Sequence, residues 1–252
     1  MNAMRVLLLA LLLVAPAALA QSPSADPRQD AARLNSRLGL EYLRQGQLAV
    51  AQEKVDKALQ QYPRDAAVQL SAGLVYEQLR DPRRAGRHFR EAVRLEPRNP
   101  DALNAQGAFL CRNGEARRGE ESFLEAARNP LYRTPEVAYT NAAVCARQAG
   151  RLDKSEEYLR LALAQRNSYS EALLQMAGVS FERGNLLQAR AFLERYLAAA
   201  PATASMLLLG YQVESGLGDA SAAAGYAERL RSGHAGTPEQ RIVEELVRRE
   251  RP

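Results

Sequence analysis

The chain has 252 residues with 34 Lys and Arg against 29 Asp and Glu, two histidines, two cysteines and no tryptophan. A formal net charge of +5 is mild, and the charges alternate with apolar residues at helical spacing, which is the pattern of solvated helix faces. The two histidines lie in unrelated surroundings, His88 on a basic stretch and His234 in a Ser-Gly-His-Ala-Gly turn, so neither has a companion at metal-ligand spacing, and no phosphate-cradling glycine loop or nucleophile elbow is present.

In chain order, residues 1–20 read as a cleaved signal peptide. Arg5 supplies the positive start, Val6 to Val14 the short apolar run, and Ala18-Leu19-Ala20 the small-residue processing site before Gln21. That run is too short to span a bilayer and no long apolar stretch follows, so the expectation is an exported protein with no membrane span and no nucleic-acid partner. Residues 21–31, rich in Ser, Pro, Asp and Gln, are expected to form a disordered leader.

From Ala32 a single beat organises the sequence. Gly46, Gly114, Gly150, Gly184 and Gly218, with Arg80 where a sixth glycine would fall, are separated by 34, 34, 36, 34 and 34 residues. That is the tetratricopeptide period and predicts an all-α, right-handed superhelical solenoid of about six helix-turn-helix repeats. The units are 32–65, 66–99, 100–133, 136–169, 170–203 and 204–237, followed by a capping helix and tail over 238–252. Each unit places small residues where its helices cross and larger apolar ones in the gap, as in Gly39, Ala51 and Val55 or Gly73, Ala85 and Phe89. Pro63, Pro97 and Pro201 end second helices because proline cannot donate the next backbone hydrogen bond. The sixth unit is degenerate, with Tyr211 where a small residue is expected.

The two extra residues of the fourth interval fall in Asn129-Pro130-Leu131-Tyr132-Arg133-Thr134-Pro135. This lengthened loop is either a neutral insertion or a place where Tyr132 and Arg133 present an edge to a partner.

In such repeats the first helix lines a concave groove. The positions that map there include Leu40, Leu43 and Arg44, then Leu70, Leu74 and Glu77, then Asn104, Ala108 and Arg112, then Thr140, Val144 and Arg147, and Phe181. Apolar with scattered polar groups, the set suits an amphipathic helix or extended peptide, and it lacks the Lys/Asn pattern that clamps a C-terminal carboxylate. Some of these side chains are expected to pack on a neighbouring helix instead. A second feature is a basic stripe on the convex side, Arg83, Arg84, Arg87 and Arg90 with Arg117 and Arg118 one repeat on, read either as a solvated face or as a contact for an anionic partner. Cys111 and Cys145 lie on the first helices of adjacent repeats, and an oxidising compartment favours a disulfide over two small buried thiols. Neither catalysis, a metal nor a cofactor is expected.

Three segments go beyond the repeat consensus: RLNSRLGLEYLRQG from Arg33, the stretch from Asn104 to Gly150 containing FLCRNG and NPLYRTPEVAYTNAAVCARQAG, and LLQMAGVSFERGNLLQARAFLERY from Leu173. Together they resemble the PilF/PilW family of type IV pilus biogenesis proteins. The resemblance implies a periplasmic, non-catalytic repeat scaffold whose partners are the outer-membrane secretin or associated pilus assembly proteins. Members carry a lipidated cysteine at the processing site, whereas here Ala20 is followed by Gln21 and the first cysteine is Cys111. The alternative is a general periplasmic adaptor that recruits a cell-wall enzyme or another envelope complex.

Overall fold

The computed structural model describes residues 26–250, and the signal-peptide segment, residues 21–25 and the last two residues lie outside it. Among the described residues the chain is thirteen α-helices with no strand: α1 (Pro27–Arg44), α2 (Leu48–Gln61), α3 (Ala66–Gln78), α4 (Pro82–Leu95), α5 (Pro100–Arg112), α6 (Ala116–Arg128), α7 (Pro135–Gln148), α8 (Leu152–Gln165), α9 (Ser170–Glu182), α10 (Leu186–Ala199), α11 (Ala204–Leu217), α12 (Ala220–Gly233) and α13 (Pro238–Glu250). The first twelve are paired in sequence, and each pair packs on the next to form an all-α superhelical repeat.

The beat of glycines is a backbone requirement. Gly46, Gly114, Gly150, Gly184 and Gly218 all have positive φ, and Arg80 adopts the same left-handed conformation at φ 57°. At all six turns the amide after that residue donates to the carbonyl five residues back, as in Gln47 to Tyr42 and Asp81 to Tyr76, at 2.9–3.0 Å. Only this αL step lets the chain reverse while satisfying the last carbonyls of the first helix, so position 80 keeps the conformation even without glycine.

Inside each pair the helices touch where the first helix has its smallest side chain. A Cβ on Gly73 would stand 2.7 Å from the Phe89 ring, and one on Gly107 would meet the Gly119 carbonyl at 2.9 Å and the Phe123 ring at 3.0 Å. Where the large partner is a leucine, Leu159 or Leu193, the small residue is Ala143 or Ala177, and all four are fully buried. The sixth pair solves the crossing differently. Gly210 makes room for the Tyr226 ring, and the neighbouring Tyr211 is turned into the core.

The outer side of each crossing is buried by the next pair. Val55 and Ala51 of α2 share a cluster with Val75 and Tyr76 of α3, and Phe89 of α4 lies 5.3 Å from the Phe109 ring of α5. At the far end α13 packs on α11 and α12, burying Val243, in the place a further first helix would take. At the near end the expected leader is corrected. Residues 27–31 are the opening turns of α1, because Asp26 accepts from the Arg28 amide and Pro27 sits at the first helical position. That extension lets Gln29 and Arg33 both donate to buried Asp65, at 2.9 and 2.7 Å.

Cys111 and Cys145 are joined, linking α5 to α7 across the longest connection with their Cα atoms 5.7 Å apart. Gly119 has no room for a side chain because the Cys111 sulfur occupies that space.

Gly73→Ala should destabilise the protein by roughly 1–3 kcal/mol by forcing the Phe89 ring aside. Adding Phe89→Leu, which recreates the Ala143/Leu159 arrangement, should recover part of the loss in urea unfolding; strictly additive losses would show that the crossing is not the cause. Arg80→Gly should stabilise the protein by about 1 kcal/mol, read as a higher urea midpoint, by relieving the left-handed backbone. Replacing both cysteines by serine should cost roughly 2–4 kcal/mol, and an unchanged midpoint would show that the bridge contributes nothing to stability.

Candidate functional site: the groove of first helices

The geometry of stacking decides which side is concave. Each first helix touches the next, α1 to α3, α3 to α5, α5 to α7, α7 to α9 and α9 to α11, whereas no two second helices of neighbouring pairs approach each other. The layer of first helices is therefore the inner one, and their free faces line the groove.

The ninth place of each unit forms a continuous line along that groove: Leu40, Leu74, Ala108, Val144 and Gly178. The first four side chains are half-buried. Leu43 and Leu70 flank the line near its start and Phe181 near its end. Leu43, Leu70 and Leu74 lean on the cluster of Tyr76, Phe89 and Phe109, Ala108 on that of Phe123, and Phe181 on that of Leu193. These side chains thus serve core and groove at once.

The charged groove residues are committed to one another. Arg112 of α5 reaches back to Glu77 of α3 through two hydrogen bonds of 2.9 and 2.8 Å. Arg147 of α7 reaches forward to Glu182 of α9 at 3.0 and 2.7 Å, with a third bond of 2.8 Å to Gln175. Both pairs span a seam between repeats and bracket the disulfide. Gly178 is what allows the second: a Cβ there would stand 2.7 Å from the Arg147 guanidinium. Gln175 and Gly178 were not singled out from sequence, since neither has a signal until the partner arginine is placed. Arg44 pairs only with Glu41 of its own helix.

Two expectations are corrected. Thr140 is buried, at 2% exposure, and donates to the Glu136 carbonyl one turn back at 2.7 Å, so it offers nothing to a partner in the groove. Tyr132 does not project from the long loop. It turns inward beside Leu103, Ala126 and Ala138, and its hydroxyl accepts from Asn104 Nδ2 at 2.8 Å. The loop is pinned by Asn129, which donates to the Arg98 carbonyl at 2.6 Å and accepts from the Leu131 amide at 2.9 Å, leaving Leu131 as the protruding side chain at 86% exposure.

On the convex side the predicted stripe is narrower than expected. Arg84 is taken up by Asp81 at 2.8 Å and lies over the Tyr76 ring, and Arg118 pairs with Glu115. Arg83, Arg87, Arg90 and Arg117 remain exposed, with no carboxylate partner among the described residues. His88 stacks on Tyr76 and shares a 2.7 Å hydrogen bond with Gln69; burial, reinforced by Arg87, holds its pKa below the usual imidazole value. Among the described residues there is no group of three or more His, Cys, Asp or Glu able to hold a metal ion, and no helix is long and apolar enough to cross a membrane.

Comparison with known proteins agrees with this architecture. Tetratricopeptide repeat family models match residues 36–100 and 70–132, and a further one matches 146–209. The type IV pilus assembly protein PilF of Pseudomonas aeruginosa is 26% identical over 215 residues, which is 84% of each chain. An uncharacterized protein of Haemophilus influenzae is 28% identical over 172 residues, 68% of this chain and 90% of that one. Among solved structures, PilW, a widely conserved type IV pilus biogenesis factor, superposes with a TM-score of 0.76 at 26% identity, covering 84% of this chain and 98% of PilW. The P. aeruginosa PilF structure gives 0.73 at 24% identity, covering 88% of this chain and all of PilF. The chain belongs to the tetratricopeptide repeat proteins and, among them, is a homologue of PilF with a PilF/PilW-like fold.

Proposed function

We propose that this protein is a non-catalytic scaffold of type IV pilus biogenesis that acts in the periplasm, where it promotes assembly and stability of the outer-membrane secretin and of the pilus by holding a segment of a pilus component in its groove. The observation that carries this reading is the similarity to PilF over 84% of each chain, so that most of the run of repeats and not an isolated one is shared. The groove supplies a physical means. With Glu77, Arg112, Arg147 and Glu182 paired to each other, what the groove leaves uncommitted is the half-buried line of Leu40, Leu74, Ala108 and Val144, which suits an amphipathic helix or an extended strand with apolar side chains on one face. The signal-peptide pattern of residues 1–20 supports export.

Deleting the gene from its own organism should abolish twitching motility and the heat-resistant secretin multimer, with both restored by the wild-type copy. Leu74→Glu and Val144→Glu, with helix content checked by circular dichroism, should fail to restore them, because each sets an unpaired carboxylate on the apolar line. Normal motility and normal multimers in the deletion strain would sink the pilus assignment.

A further inference from the structure

The outer face of α4 carries a run of arginines that close no ion pair. Several arginines elsewhere do close pairs across seams, such as Arg33 with Asp65, Arg112 with Glu77 and Arg147 with Glu182. On α4, Arg83, Arg87 and Arg90 follow one another at i, i+4 and i+7, so they share one face of the helix. All three are exposed, and among the described residues neither they nor Arg80 in the preceding turn has a carboxylate within 4.0 Å. Beneath them Ala85, Phe89 and Ala92 are fully buried and Val93 and Leu95 half-buried, so the arginine face offers no exposed large apolar side chain to an apolar phase.

The surroundings define the shape of what can sit there. Arg87 holds the same register place in the second repeat as Glu53 in the first and Glu121 in the third, and both glutamates are exposed. At Arg87 the positive stripe therefore has a carboxylate on either flank, while at the Arg83 place Arg117 continues it into the third repeat. A flat anionic surface would bring its charges against Glu53 and Glu121 as well, whereas a narrow linear polyanion would meet only the arginines.

We propose that the outer face of α4 is a docking surface for an acidic protein segment whose carboxylates repeat at helical spacing and engage Arg83, Arg87 and Arg90 together. Because this face is on the opposite side of the molecule from the groove, the assignment stands or falls independently of the pilus role.

The test uses the folded chain and a fluorescently labelled alanine-based helical peptide with glutamates at i, i+4 and i+7. The peptide should bind in a salt-sensitive manner. The Arg83→Glu/Arg87→Glu/Arg90→Glu variant should weaken binding about tenfold or more, while Arg128→Glu/Arg133→Glu/Arg229→Glu, which changes net charge equally at other exposed arginines, should weaken it less than about twofold. Equal losses in the two variants, or no binding by the wild type, would overturn the proposal. So would phosphatidylglycerol vesicles that bind through these arginines and are not displaced by the peptide, which would make the partner a membrane surface.

Discussion

The close crossing of the two helices in each pair is the constraint on which the rest of the molecule depends. A pair can bury only a stripe on each helix, and how deeply it does so depends on how near the axes approach. Gly73 under Phe89 and Gly107 under Phe123 let the backbone come to within contact of an aromatic ring. Where the second helix carries leucine instead, alanine fits in the same space, as at Ala143/Leu159 and Ala177/Leu193. The exchange of a methyl group on one helix against ring bulk on the other conserves volume across the crossing, as close-packed interiors require. Because that distance is held nearly constant, successive pairs present the same surface and stack with the same offset, and the first helices end up side by side on the inner wall.

Apolar stacking alone tolerates small slips along the helix axes. Polar contacts at the seams do not. Buried Asp65 takes hydrogen bonds from Gln29 and Arg33, buried Glu120 pairs with Arg151, and buried Glu214 pairs with Arg190. Burial pushes the Glu120 carboxyl above the usual value even with Arg151 beside it, whereas at Asp65 the bonds from Gln29 and Arg33 outweigh burial and hold the carboxyl below it. Such pairs add little net stability relative to apolar residues of the same size, but leaving one partner alone in the seam is costly. Their effect is to penalise the wrong register. The Arg112–Glu77 and Arg147–Glu182 pairs do the same on the groove side, and in doing so they leave the groove floor apolar.

Much of this was readable without coordinates. The 34-residue beat located all six turns, including the one occupied by Arg80, since a left-handed residue is demanded by the hydrogen bonds of the turn whatever side chain fills it. The small and large positions at the crossings followed from the same register, and the pairing of Cys111 with Cys145 was favoured by compartment. Three features came out differently because exposure depends on contacts that neither local composition nor repeat register shows. Residues 27–31 look like a polar leader but are capped by Asp26 into α1. Tyr132, between two prolines, turns into the core because Asn104 offers it a hydrogen-bond partner 28 residues back. Thr140 occupies a groove register place yet is covered by its neighbours.

Sequence by itself determined the repeat, its period, the turn geometry and the face each helix buries, because these depend on contacts within one unit or between a unit and its immediate copy. Only the tertiary structure decided which charges are spent and which are free. Arg112 and Arg147 finish in ion pairs while Arg83, Arg87 and Arg90 do not, although all five are exposed or half-buried on amphipathic helices. The difference is set by whether a carboxylate on a neighbouring helix comes within reach, and that distance exists only once the helices have stacked.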